Sequence, residues 1–262
     1  MKIFDCIKFF NEFEILDLRF MTLYDHVDYF VIVEANKTHT GKPKEFLLEQ
    51  RKADYEKYWD KVIYVKVEDL PDFTVDNYWG PENFQRNCIS RGLKDVAQYG
   101  DKIFISDCDE IWNPVVAKFH LNNPNFVVFE QKLFYYYVNC RQNCMWSGTC
   151  MGTYGNFNLP QDLRNHARFQ RHIPVINGGW HYSFMGDANK IREKVENIAE
   201  GHIIIDLVGD VDKIQKTRET LVDLWGRTDN YAKKRIVDLD SNSPPRIREF
   251  IEKYPDFYFK KG

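Results

Sequence analysis

The feature that most constrains the fold is a series of short apolar runs, rich in β-branched residues, that alternate with segments of helical spacing. The run at 29–34, Tyr-Phe-Val-Ile-Val-Glu, is too continuously apolar for a surface element, so it predicts a strand covered on both faces of a sheet. Similar runs occupy residues 3–10, 62–67, 102–106 and 126–129. Together these runs predict an α/β fold with a mostly parallel sheet flanked by helices.

Periodicity places helices between and after the strands. Phe13, Leu16, Phe20 and Leu23 recur at helical spacing, which predicts a helix over 12–24. Further helical segments are expected up to about residue 59 and over 81–99, 188–199, 212–225 and 245–254, with a Gly-rich loop region before residue 179. Because no interdomain linker is evident, we expect a single domain over 1–262, with a helical C-terminal part over about 187–262.

Composition and charge exclude several classes of protein. The formal net charge is -3, with 36 basic and 39 acidic residues, so we expect no nucleic-acid partner. The first residues lack a secretion signal, and no stretch approaches the ~20 apolar residues of a membrane span, so the expected location is cytoplasmic. Six cysteines without a CxxC pair predict free thiols, although the cluster of Cys140, Cys144 and Cys150 leaves a metal or disulfide role open.

Two acids follow the predicted strand at 102–106. Asp107 and Asp109 are separated by one residue at a strand-to-loop transition, so both carboxylates can face one divalent cation. A solvated acidic turn would give the same pattern in an arbitrary sequence. The buried strand before this pair and the segment Gln85-Arg86-Asn87 in a preceding helix favour binding of an anionic ligand with a metal ion.

Three other residues are candidates for contact with a nucleotide. Arg86 has the geometry to bind a phosphate or a carboxylate, and Asn87 offers both a donor and an acceptor for a ribose or base. Both fit a solvent-facing helix position equally well. Glu34 ends the predicted strand at 29–34, where nucleotide-binding sheets meet a ribose, but an ion pair with Lys37 or Lys42 explains it as readily.

His181 and Asp162 are candidates with less specific surroundings. His181 follows two glycines and a tryptophan, so its imidazole is a possible metal ligand, although an isolated histidine more often has a structural role. Asp162 precedes several cationic residues near an expected helix start. It is therefore a candidate catalytic base or, with more weight, a helix N-terminal cap.

An ordered set of blocks resembles glycosyltransferase family seventeen. The blocks lie at residues 5–6, 9–13, 27–35, 40–44, 82–87, 106–111 and 179–183. The resemblance implies a GT-A (Rossmann-like) fold, UDP-N-acetylglucosamine (UDP-GlcNAc) as donor, Mn²⁺ or Mg²⁺ as cofactor, inversion at the anomeric carbon and a glycan or glycoprotein acceptor. It gives Asp107 and Asp109 the role of the family's DxD motif, and places Glu34, Arg86 and Asn87 against the nucleotide.

On this basis we hypothesise a metal-dependent transfer of N-acetylglucosamine. Asp109 would bind the metal, Asp107 the metal or ribose, His181 the metal or diphosphate, and Asp162 would be the base. Two alternatives remain: a DxD phosphohydrolase, in which the first Asp is the nucleophile, and a catalytically silent protein that binds carbohydrate or a nucleotide sugar.

Overall fold

A nine-stranded mixed sheet forms the centre of the molecule in the part of the chain that the computed structural model describes, residues 1–169, 174–240 and 243–260. Eight strands follow one another in the order β3-β2-β1-β4-β7-β6-β8-β5, and β9 pairs with β7. The strands are β1 Ile3–Phe9, β2 Tyr29–Ala35, β3 Val62–Val67, β4 Lys102–Asp107, β5 Glu110–Trp112, β6 Val127–Tyr135, β7 Cys140–Thr153, β8 Val175–Ser183 and β9 Lys234–Ile236.

Helices connect and cover these strands. They are α1 Phe13–Leu23, α2 Leu47–Gln50, α3 Gly80–Asn87, α4 Ile89–Leu93, α5 Pro114–Ala117, α6 Pro160–Phe169, α7 Ala188–Asn197, α8 Gly201–Val208, α9 Val211–Glu219 and α10 Ile247–Lys253. The helix predicted over 12–24 is confirmed, since α1 buries the four apolar residues that recur at helical spacing.

The half of the sheet built from β3, β2, β1 and β4 is parallel. Its central strands are covered on both faces, and β2 is buried from Phe30 to Ala35, as its continuous apolar run predicts. The chain passes from β1 to β2 on one side and reaches β4 on the other. The carboxyl end of β1 is therefore a point where strand order reverses, which is where open α/β sheets bind ligands.

The prediction of a mostly parallel sheet needs correction, because half of the strand pairings in the described residues are antiparallel. β7 runs antiparallel to β4, β6 and β9, and β5 runs antiparallel to β8. The reason is local: only residues 136–139 connect β6 to β7, and such a short connection can join only antiparallel strands. Tyr136 has a φ of 66° in this turn.

Several predicted boundaries also differ from the structure. The predicted helix at 81–99 is two short helices, α3 and α4, which end at Leu93. The predicted loop before residue 179 overlaps the first residues of strand β8, and helix α8 was not predicted at all. The C-terminal part from residue 187 contains α7 to α10 and one short strand, β9.

Two findings concern the thiols and the membrane. The expectation of free thiols is confirmed, because all six cysteines are unpaired with one another and only Cys144 is not fully buried. Within the described ranges, no helix combines the length and the apolar character needed to cross a bilayer.

Candidate active site

A cavity of about 230 Å³ opens at the carboxyl ends of β1, β2 and β4. Phe9, Ala35 and Asp107 contribute to its wall from these three strands. β8 and α7 also contribute to the lining, with His181 and Lys194 respectively. The cavity therefore lies at the reversal of strand order, and it joins sequence segments that are more than 180 residues apart.

A buried arginine holds the turn between β4 and β5 that carries the two acids. Arg19 of α1 is fully buried and donates from Nη1 to the carbonyl oxygens of Asp107, Cys108 and Glu110, at 3.2, 3.1 and 2.9 Å. Its other nitrogens form two 2.6 Å bonds to the buried Asp5 carboxylate. The turn is thus fixed by side chains from β1 and α1 before any ligand binds.

The buried Asp5 carboxylate also binds the side chain of Trp112 in β5. Trp112 donates from its indole nitrogen to Asp5 Oδ1 at 2.8 Å and stacks on Phe104, with ring centroids 4.2 Å apart. Asp5 interrupts the apolar run of β1 in the sequence. A charged side chain inside a buried strand requires partners. This interruption of the apolar run is therefore the feature of the sequence that indicates a buried polar cluster at Asp5.

Asp107 is surrounded by cations. Its Oδ1 lies 3.1 Å from Lys8 Nζ and 2.9 Å from Arg86 Nη2, and its Oδ2 lies 3.4 Å from Arg164 Nη2. Burial raises the pKa of this carboxyl, but the three cations lower it further, so that its pKa lies well below the ordinary value. Asp107 is therefore a fixed anion that orders a cationic wall.

Asp109 faces the cavity from the other side of the turn. Its Oδ2 is 2.6 Å from Lys194 Nζ, and its Oδ1 is 3.5 Å from His181 Nε2. Burial raises the pKa of Asp109, but Lys194 and then His181 lower it to a value below its usual range. The His181 ring lies 5.0 Å from the ring of Trp146, and its Nδ1 has no hydrogen-bond partner among the described residues.

The donor set at Asp109 fits a divalent cation that arrives with a phosphate ligand. In the described ranges, no three His, Cys, Asp or Glu side chains are grouped to hold a metal by themselves. Asp109 and His181 are two adjacent ligand groups on the cavity wall, and Mg²⁺ commonly uses one or two carboxylates together with substrate phosphates. Asp107 contacts three cationic side chains, those of Lys8, Arg86 and Arg164, whereas Asp109 contacts one lysine besides His181.

Glu34 lies behind the cavity wall and is fully buried. Its carboxylate accepts hydrogen bonds from Lys44 Nζ, from the backbone N–H groups of Leu47 and Leu48, and from the Tyr64 hydroxyl, at 2.5, 2.7, 3.1 and 2.7 Å. These bonds tie the end of β2 to the start of α2. Its ion pair is with Lys44, rather than with Lys37 or Lys42.

Arg86 and Asn87 connect α3 to α6. Arg86 bonds to Glu82 as well as to Asp107, and its Nη1 donates to Gln161 Oε1. Asn87 Oδ1 accepts from the backbone N–H of Gln161 at 2.9 Å. The structure therefore brings Arg86 to the two-acid turn, while Asn87 serves the contact between two helices.

Asp162 is the candidate that the structure does not bring to the others. It is exposed in the first turn of α6 and is not among the described residues that line the cavity. Its Oδ2 accepts from the backbone N–H of Leu159 at 3.2 Å, which is the bond of a helix N-terminal residue. This contact fits the alternative in which Asp162 caps the N-terminus of α6.

Sequence reasoning missed several residues at the cavity. Lys8, His39 and Lys194 line it, and so does Glu82, whose Oε1 is 2.7 Å from Lys8 Nζ. Arg164 reaches the turn from α6, where its Nη2 bonds to Glu110 Oε1 at 2.5 Å. Isolated lysines and arginines on helices carry no local signal, because only tertiary contact shows which of them face an acid.

The comparisons with known proteins agree with the resemblance. The model of the family described as Glycosyltransferase family 17 matches residues 1–217. The chain is 29% identical over 115 residues to the β-1,4-mannosyl-glycoprotein 4-β-N-acetylglucosaminyltransferases of Rattus norvegicus and of Homo sapiens. The aligned part is 42% of this chain but only 21% and 22% of those two proteins. Because the family model covers most of the chain, the chain belongs to glycosyltransferase family 17.

Proposed function

We propose that this chain is a metal-dependent, inverting glycosyltransferase of the GT-A type. It transfers N-acetylglucosamine from UDP-GlcNAc to a hydroxyl of a glycan or glycoprotein, in a β-1,4 linkage like that in the names of its relatives. The observation that carries the proposal is the pairing of Asp109 with His181 in a cavity whose wall also holds Lys8 and Lys194. Such a site suits a diphosphate bound together with a divalent cation.

The residues of the chain have separate parts in this reaction. Asp109 and His181 would hold the cation, which lowers the negative charge on the departing diphosphate. Lys8, fixed between Glu82 and Asp107, adds positive charge at the same wall. Arg19 keeps the turn in place, so that these groups need little reorganisation when charge develops. Trp79 and Trp146 offer aromatic faces for the sugar rings.

The attack of the acceptor hydroxyl requires a group that takes its proton. Glu82, Asp107 and Asp109 line the cavity, but each contacts a lysine or arginine, and the pKa of each is lowered despite burial, which raises it. Glu12 and Glu200 line the same cavity, and of these two only Glu12 also lines the small adjoining cavity beside Asp109 and Lys194. Glu12 Oε2 accepts from the backbone N–H groups of Phe10 and Asn11. We assign the role of base to Glu12 rather than to Asp162.

The proposal is tested by measuring UDP release from UDP-GlcNAc with Mn²⁺, with Mg²⁺ and with EDTA, in the presence and absence of mannose-containing glycans. We expect metal-dependent release that a glycan acceptor stimulates, and loss of this release in Asp109→Asn with the melting temperature retained. Mn²⁺-dependent UDP binding without turnover of any UDP-sugar would instead identify a silent binding protein.

The same experiment bears on the phosphohydrolase alternative. A nucleophilic Asp107 would need a carboxylate oxygen that is free to attack the phosphorus atom of a substrate, whereas both of its oxygens contact cations. Release of inorganic phosphate from a generic phosphomonoester, without UDP binding, would reject the glycosyltransferase proposal.

A further inference from the structure

Lys194 is paired with the same carboxylate, that of Asp109, which a divalent cation would bind under the proposed function. Its Nζ lies 2.6 Å from Asp109 Oδ2, and both side chains line the cavity. The Lys194 side chain is only 20% exposed, so this ion pair is largely shielded from water.

Helix α7 holds Lys194 firmly in this place. Asp187 caps the helix by accepting from the backbone N–H of Lys190 at 2.8 Å, and Ile191 and Val195 are fully buried on the face next to Lys194. The Phe184 ring lies 5.5 Å from Lys194 Nζ. The flexible side chain of Lys194 can change its rotamer, and so move the ammonium group, while the helix stays packed.

We propose that Lys194 is a built-in counter-ion, which pairs with Asp109 in the ligand-free protein and moves to the donor diphosphate when a divalent cation takes Asp109. This inference rests on the proposed function and identifies the residue that couples binding of the metal to binding of the nucleotide.

The physical reason is competition for one carboxylate. An ammonium group and a divalent cation repel each other at short distance, so each weakens the binding of the other to Asp109 unless a further anion is present. The diphosphate is such an anion, and it accepts hydrogen bonds from lysine as a point charge. Metal alone must therefore displace Lys194 at a cost, whereas metal with diphosphate gives Lys194 a new partner. The two ligands then strengthen each other's binding, as linkage requires.

The test uses the whole chain and measures binding rather than turnover. Calorimetry gives the Kd of Mn²⁺ alone, of UDP alone and of UDP with saturating Mn²⁺, for the wild type and for Lys194→Met. We expect Lys194→Met to bind Mn²⁺ alone roughly tenfold more tightly, because Mn²⁺ no longer competes with the bond between Lys194 and Asp109. We expect the variant to bind UDP with Mn²⁺ roughly tenfold more weakly, because it lacks the bond between Lys194 and the diphosphate.

Two further variants serve as controls. Lys190→Met removes a lysine one turn earlier on α7, whose Nζ bonds to Glu14, and we expect both Kd values to stay near those of the wild type. Lys194→Arg keeps the charge and should keep most of the UDP affinity. It also keeps the inference testable if Lys194→Met lowers the melting temperature too far for calorimetry.

Unchanged Mn²⁺ affinity in Lys194→Met would overturn the inference, and so would weaker binding of both ligands, because a lysine that merely organises the site gives that result. Tighter Mn²⁺ with unchanged UDP affinity would overturn the transfer to the diphosphate. These outcomes are separate from failure of the proposed function, which shows as absence of UDP-sugar turnover by the wild type.

Discussion

Each acidic side chain at the cavity takes its role from the cations beside it. Asp107 and Asp109 are separated by one residue, yet Asp107 faces Lys8 and two arginines, while Asp109 faces Lys194 and His181. The first arrangement fixes an anion within a wall of charge. The second arrangement holds an anion between one lysine and one histidine, and under our proposal Asp109 exchanges the lysine for a metal ion.

The proton-accepting role of Glu12 gives a kinetic prediction. Replacement by Gln keeps the size of the side chain and an acceptor oxygen for the N–H groups of Phe10 and Asn11, but removes the basic carboxylate. We expect kcat for transfer to fall by roughly 10²–10⁴-fold, with the KM for UDP-GlcNAc nearly unchanged. The measurement is steady-state UDP release. Asp162→Asn is the matched control, and a larger loss of kcat in that variant would return the role of base to Asp162.

His39 gives a prediction about the dependence of stability on pH. Burial lowers its pKa from the ordinary value of 6.5; Glu82 and a hydrogen bond from its Nε2 to Gln85 oppose this, while Lys8 and Arg86 add to it. The unfolded chain therefore binds this proton more readily than the folded chain. The stability contributed by neutral His39 is full above pH 6.5 and is lost as pH falls from 6.5 through the lowered pKa.

We expect the free energy of unfolding to decrease between about pH 7.5 and about pH 5.5 in urea titrations, and His39→Gln to show a smaller decrease. His26→Gln, which changes an exposed histidine, should behave like the wild type. Identical pH dependence of the free energy of unfolding in His39→Gln and the wild type would show that protonation of His39 does not cause the decrease.

At the scale of elements, α1 and β1 position the functional turn through one buried ion pair. The side chains of Arg19 and Asp5 are both fully buried, and Arg19 also satisfies three carbonyl oxygens between β4 and β5. Because one buried guanidinium makes all three of these carbonyl contacts, removal of Arg19 would leave three carbonyl oxygens of the turn without this donor. The turn that carries the two acids is thus held by packed elements, and Arg19 binds it from the buried side rather than from the cavity.

Removal of that arginine should therefore be severe. Arg19→Met leaves the Asp5 carboxylate buried without its counter-ion, so we expect a loss of about 3–5 kcal/mol in the free energy of unfolding, measured by urea titration. The control is Arg91→Met, which breaks an exposed two-bond pair with Asp69 and should cost about 0–1 kcal/mol. Equal losses in the two variants would show that the buried pair has no special weight.

At the scale of the whole molecule, the family match ends before the folded chain does. The family model stops at residue 217, but β9 pairs with β7, and α10 packs on α1. Lys253 and Tyr254 both reach Asp17 Oδ2, at 2.7 and 3.1 Å. The side chains of Ile247 and Phe250 are buried in the same core as those of α1. The described residues after 217 therefore complete the core on the side of the sheet that carries α1.

A chain truncated after residue 217 should be strongly destabilised. Burial of Ile247, Phe250 and Phe257 contributes roughly 1.5–3 kcal/mol per side chain, which together is a large part of the ~5–15 kcal/mol that stabilises a typical domain. We expect a low soluble yield and a lower melting temperature than for residues 1–260. Matching melting curves for the two chains would show that the C-terminal part is dispensable for folding.

The sequence by itself determined the α/β class, the parallel strands β1 to β4, helix α1 and the position of Asp107 and Asp109 at a strand end. Each of these depends on a local period or on the residues next to a buried run, and such patterns are complete within about ten residues. Only the tertiary structure decided that the sheet is mixed, that Glu34 binds Lys44 and the start of α2, and that Lys194 meets Asp109 across 85 residues. These features depend on which distant side chains come together in the folded chain, and a charge on a helix has no local pattern that names its partner.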